Sequence, residues 1–234
     1  MEVPSTSDNG GAFDAEVPVR CIVPIDGLGH SERGLAVAAR LAAAMGGAVD
    51  VVCYSHGPIT SQFRRDLAAL VDRAVGDVPA RLEVMGYRGP VSDRIIERVA
   101  AHPDAVLCMA AHSRERAPGI VGSVTDAVVR AIAQPVVLVG PGAALGAFDP
   151  GGPVLSTGPD TDRLRAAAQG WARRFDSSVE HRPLDEALQT ASTLGASVIA
   201  VSVPRLGRVD RLLHGSEVAD LIHDAPCPVL AIGA

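Results

Sequence analysis

Residues 105–140 read AVLCMAAHSRERAPGIVGSVTDAVVRAIAQPVVLVG. The apolar run at 105–109 reads as a buried strand and the polar stretch after it as a loop. Gly122-Ser123 then opens a helix with Val124, Val128 and Ile132 on its inner side, and Pro135 introduces a second buried strand. Strand, helix and parallel strand make the right-handed crossover unit of an α/β sheet. In such sheets ligands bind beyond the carboxyl ends of the strands, which here means the 109–123 loop.

The same order returns at residues 198–233, VIAVSVPRLGRVDRLLHGSEVADLIHDAPCPVLAIG. Gly122-Ser123 is answered by Gly215-Ser216, and Ala133-Gln134-Pro135 by Pro226-Cys227-Pro228. Two copies of one unit in 234 residues predict two lobes of one architecture.

Working outward from the first copy, 19–25 reads as a strand and Ser31 begins a helix with Leu35, Ala38, Ala42 and Met45 in one stripe. Gly46-Gly47 ends that helix. A strand at 48–55, a helix at 60–75, a strand at 80–87 and a helix after Pro90 with Val91, Ile95 and Val99 inward complete the half. Five strands alternating with four helices predict a doubly wound, Rossmann-like parallel sheet over 17–140. Residues 1–16, rich in Ser, Asp, Gly and Pro, read as a flexible tail, and 141–152 as a Gly/Pro/Ala linker.

The second half, 153–234, is shorter. It offers strands at 154–158, around 178–181, at 197–202 and at its end, with helices at about 161–174 and 184–194 and one after Gly215-Ser216. One strand and one helix are missing relative to the first half. An edge or face is therefore expected to lack its usual cover, which the first lobe or a second chain would supply.

Composition excludes several classes of function. The apolar share is ordinary and aromatics are few, so Val, Leu, Ile and Ala must build the core. No run is long enough to span a membrane and no signal peptide is evident, which predicts a cytoplasmic protein. A formal charge of -6 without interleaved aromatics argues against nucleic-acid binding. Cys21, Cys53, Cys108 and Cys227 lack metal-binding spacing and read as small buried side chains. The chain contains no lysine, so its 21 basic residues are all arginine and no Walker-type or Schiff-base lysine is present.

With both copies in view, the chain resembles the universal stress protein family of small α/β domains, often tandem. The family ends in a strand, then Gly-x-x-Gly, nine residues, Gly-Ser or Gly-Thr, a helix, a Pro and a last Val/Leu-rich strand. The resemblance covers nearly all of 17–140 and, more loosely, 153–234.

The resemblance implies ATP or another adenine nucleotide, with magnesium, in the first lobe. Asp26 would stand by the adenosine, the loop at Ala110, His112, Ser113 and Arg114 would pass the phosphates, and Gly122 and Ser123 would bind the β- and γ-phosphates. Asp26 equally fits a cap on the turn into the next helix. Ser123 with Asp126 resembles a capping box.

The chain departs from the family where the two motif glycines belong. Ala110 and Ser113 occupy those places in the first copy, Ser202 and Arg205 in the second, and each added Cβ narrows the crevice. Thr157 stands where Asp26 has its counterpart. Arg114 and Arg116, and in the second copy Arg205, Arg208 and Arg211, suit an anion or simply solvent.

Two functions stay open. One is a stress-response sensor binding a nucleotide in the first lobe alone. The other is an interaction module without nucleotide, whose degenerate second lobe serves self-association or partner contact. No catalytic motif is present and no enzymatic activity is expected. The resemblance implies that strands 135–139 and 228–232 pair antiparallel in an intramolecular pseudo-dimer, because family members commonly pair through their last strands, and a further homodimer is anticipated.

Overall fold

The computed structural model describes residues 13, 19–27, 31–111, 122–203 and 217–233. The first half runs β1 (Arg20–Ile25), α1 (Glu32–Ala44), β2 (Ala48–Ser55), α2 (Ser61–Val75), β3 (Ala80–Gly86), α3 (Val91–Ala100), β4 (Val106–Ala110), α4 (Ser123–Ala131) and β5 (Val136–Val139). The second runs β6 (Val154–Thr157), α5 (Asp162–Arg174), β7 (Val179–Arg182), α6 (Ala187–Leu194), β8 (Val198–Val203), α7 (Glu217–Asp224) and β9 (Val229–Gly233). Short 3₁₀ turns lie at Leu145–Ala147 in the linker and at Leu184–Glu186. The second turn takes up the opening residues of the helix read over 184–194, and α6 continues directly from it.

The nine strands of the described residues form one sheet in the order β3-β2-β1-β4-β5-β9-β8-β6-β7. Within each half every pair is parallel, and the halves meet where β5 and β9 pair antiparallel. Val136 faces Ala231, Val137 faces Leu230 and Leu138 faces Val229, the pairing expected of the two last strands. The half-sheets read 3-2-1-4-5 and, in corresponding positions, 5-4-1-2. The missing pair is thus the counterpart of α2 and β3, and β7 is left as an edge.

Alternation along the strands sorts side chains into two layers. Under α1, α2 and α5 lie Val23, Val51, Cys108, Val137, Val154, Ala200 and Leu230; under α3, α4, α6 and α7 lie Ile22, Val52, Leu107, Leu138, Leu155, Ile199 and Val229. Each layer runs through both halves. In the first layer Trp171 of α5 is fully buried, donates from Nε1 to the Pro150 carbonyl at 3.1 Å, and packs against Phe13 and Phe175. Phe13, within the stretch read as a tail, is itself buried and contributes to this core.

The linker is fastened from both sides. Arg33 of α1 donates to the carbonyls of Gly140, Pro141 and Ala143, and Arg40, two turns on, to those of Gly146 and Phe148. Opposite, Gly140 lies so close to α7 that a Cβ there would fall 1.8 Å from the Ile222 carbonyl oxygen. All four cysteines are buried. A hydrogen bond to Cys21 and burial hold the Cys108 thiol well above its ordinary pKa, and burial pushes the Cys227 thiol up to about 12.

Candidate functional site

The chain after β1 turns into α1 on one layer, whereas the chain after β4 turns into α4 on the other. β1 and β4 are neighbours, with Cys21 facing Val106 and Ile22 facing Leu107. Their carboxyl ends therefore part at a topological switch point, the place where a doubly wound sheet opens a crevice. Asp26 follows the last residue of β1, Ala110 is the last of β4, and Gly122-Ser123 starts α4. Topology places these four at the same end of the sheet. His112, Ser113 and Arg114 lie outside the described residues, as do Arg116, Arg205, Arg208, Arg211, His214, Gly215 and Ser216.

Asp26 is exposed and accepts a hydrogen bond from the Ser31 hydroxyl at 3.0 Å. Ser31 in turn adopts helical backbone angles at the head of α1 and makes no side-chain cap. The carboxylate thus braces the turn into α1 through a side chain while remaining open to solvent. Its charge reaches Cys53, whose neighbour across the strands is Ile25. Burial, with Asp26's negative charge added, pushes the Cys53 thiol up to about 11.

Ala110 is half-buried, and the following residue continues the ladder, Ala111 N–H donating to the Val139 carbonyl at 3.0 Å. Gly34, buried in the first turn of α1, was not singled out in the sequence reading. A Cβ there would stand 3.0 Å from the Ala110 nitrogen and 3.2 Å from the Met109 carbonyl carbon. Gly34 lets α1 settle onto the backbone at the crevice, and its one signal was a glycine inside an alanine-rich helix, where it costs stability unless packing requires it.

The head of α4 differs from the capping box read from Ser123 and Asp126. Gly122 is the N-cap, with φ -56° and ψ 144°, and having no side chain it caps nothing. Ser123 is the first helical residue and is exposed; Asp126 instead pairs with Arg130 one turn on, at 2.9 Å. No N-cap side chain therefore occupies the first N–H groups of α4, and these with the positive end of the helix dipole suit an anion.

The second half differs at the corresponding strand end. Thr157, at the end of β6, is wholly buried, and among the described residues its hydroxyl has no hydrogen-bond partner. Gly158 takes φ +83° to turn the chain. Thr161 caps Leu164 N–H at 3.1 Å, and its hydroxyl stands 3.1 Å from that of Ser202, buried at the position of a lost motif glycine.

A groove of about 580 Å³ lies elsewhere, along the outer side of β3 and α3 between Tyr54, Met85, Gly86, Tyr87, Arg94 and Arg98. Among the described residues no group of three or more His, Cys, Asp and Glu side chains could hold a metal ion, and no helix is long and apolar enough to cross a membrane.

A family model, that of the universal stress protein family, matches residues 19–140 and 155–233. Among solved structures the fold is similar to a universal stress protein from Archaeoglobus fulgidus, with TM-score 0.69 and 14% identity over 92% of this chain and 96% of that one. It is also similar to a functionally unknown protein from Pseudomonas aeruginosa, with TM-score 0.60 and 14% identity over 92% of each chain. No curated protein matches the chain.

Proposed function

The chain belongs to the universal stress protein family, and on that premise we propose that it is a stress-response sensor or regulator whose first half takes an adenine nucleotide with magnesium. The observation that carries this reading is the asymmetry of the two strand ends. The first half offers an exposed carboxylate, Asp26, at the switch point of the sheet and a helix head with no N-cap side chain at Gly122-Ser123. The second offers a buried threonine and a closed pair of hydroxyls. Asp26 would accept from the ribose, and the α4 head would receive the terminal phosphates through N–H groups and the Ser123 hydroxyl.

Without lysine, phosphate charge falls to arginine and backbone N–H groups. This is a binding site, and no turnover is assigned to it.

Calorimetric titration with magnesium-ATP should give one site per chain, and nucleotide should appear in the supernatant of denatured protein purified without additions. Ser123→Glu, which sets a carboxylate on an exposed helix start, should abolish binding and leave the circular dichroism spectrum unchanged. Unaltered binding in that variant would refute the pose.

A second reading, an interaction module without nucleotide, is favoured by the loss of the α2 and β3 counterparts, which leaves β7 as an edge with Val179 exposed. It predicts no bound nucleotide and no heat of titration.

A further inference from the structure

Among the described residues the sheet ends in two unequal edge strands, β3 and β7. At β7 the bond from Val154 N–H to the Ser178 carbonyl turns the backbone groups of odd-numbered residues outward. Pro183, next in that series, sets a ring where an edge donor would stand, and the strand has only four residues. β3 has seven residues and no proline. Val49 N–H donates to the Pro79 carbonyl at 2.8 Å and Tyr87 N–H to that of Ser55 at 2.9 Å, so odd-numbered residues serve β2. Ala80, Leu82, Val84 and Gly86 therefore present their N–H and C=O groups to the outside. The Val84 carbonyl accepts one long bond, 3.4 Å, from exposed Arg64.

We propose that β3 pairs antiparallel with β3 of a second copy about a two-fold axis at Leu82, continuing the sheet across a homodimer. Charge fixes both the occupant and the register. Arg81 and Glu83 stand on the side facing α3, where they pair with each other at 3.1 Å, and Leu82 and Val84 stand on the other. A two-fold axis at Leu82 sets each copy's Arg81 opposite the other's Glu83, while Leu82 meets Leu82 and Ala80 meets Val84.

Centring on Glu83 would oppose two carboxylates, and centring on Arg81 two guanidiniums. The backbone parity agrees with the charges, because an axis at an outward-facing residue lets residues 80, 82 and 84 exchange both backbone hydrogen bonds with their partners. The proposal is independent of whether nucleotide binds.

Sedimentation equilibrium of the full chain across the micromolar to sub-millimolar range tests this, with amide hydrogen exchange measured at both ends of that range. The mass should double with concentration, and the Leu82 and Val84 amides should gain protection in step while those of Val179 and His181 do not. Arg81→Glu changes a side chain that is 71% exposed and sets like charges opposite twice per dimer. It should weaken association about tenfold without altering the circular dichroism spectrum. A monomer throughout, protection confined to β7 or another surface, or undiminished association of Arg81→Glu would each overturn the proposal.

Discussion

At the end of β6, Thr157 holds a hydroxyl in a wholly buried place with nothing among the described residues to bond it. An unsatisfied polar atom costs its desolvation without return, whereas valine has nearly the same shape and no such atom. Thr157→Val should stabilise the protein by about 1 kcal/mol, seen as a higher urea midpoint at an unchanged slope. Asp26, one half earlier, occupies the corresponding strand end but is exposed and bonded to Ser31. That exchange of chemistry was legible by laying the two copies side by side. The bond from Ser31 was not, because it depends on how the chain turns after β1. Ser123 and Asp126 were legible as a motif but misread: Gly122 takes an ordinary extended conformation and becomes the cap, which frees Asp126 for Arg130.

Among the elements, β3 and α3 are joined by ions rather than by apolar contact alone. Glu83 bonds Arg98 at 2.8 Å, and buried Asp50 bonds Arg20 at 2.6 Å with Arg98 at 3.9 Å. The hydrogen bond from Arg98 holds the Glu83 carboxyl below its ordinary value of 4.5. A lowered folded pKa means that the stabilisation is fully present above the unfolded value and is lost as pH falls through the folded one. Glu83→Gln has no such titration. The stability gap between wild type and this variant should therefore be constant near neutrality and shrink below about pH 5, as measured by urea unfolding at a series of pH values. Strands and helices of the first half were legible because each carries a clear period, as in the Leu35, Ala38 and Ala42 stripe. The ion cluster was not, since Asp50, Glu83 and Arg98 come together only through strand register.

For the whole molecule the decisive joint is β5 with β9, reinforced by the linker clamped between α1 and α7. Both apolar layers cross that joint without a break. The halves should therefore unfold in one calorimetric transition whose van't Hoff and measured enthalpies agree. Two separated transitions would show that the joint is weaker than either half. The pairing of the last strands was legible only through the family resemblance, since nothing in the repeat alone says which strands meet. The clamp was not, because Arg33 and Arg40 read as the polar face of a helix until the linker carbonyls lie across them.

The same joint sets a compass for the molecule. Since β9 runs against β5, the carboxyl ends of β1 and β4 look one way and those of β6 and β8 the other. The strand end with exposed Asp26 and the one with buried Thr157 thus sit at opposite poles of a shared sheet. A visitor at one pole meets no steric quarrel from anything moored at the other.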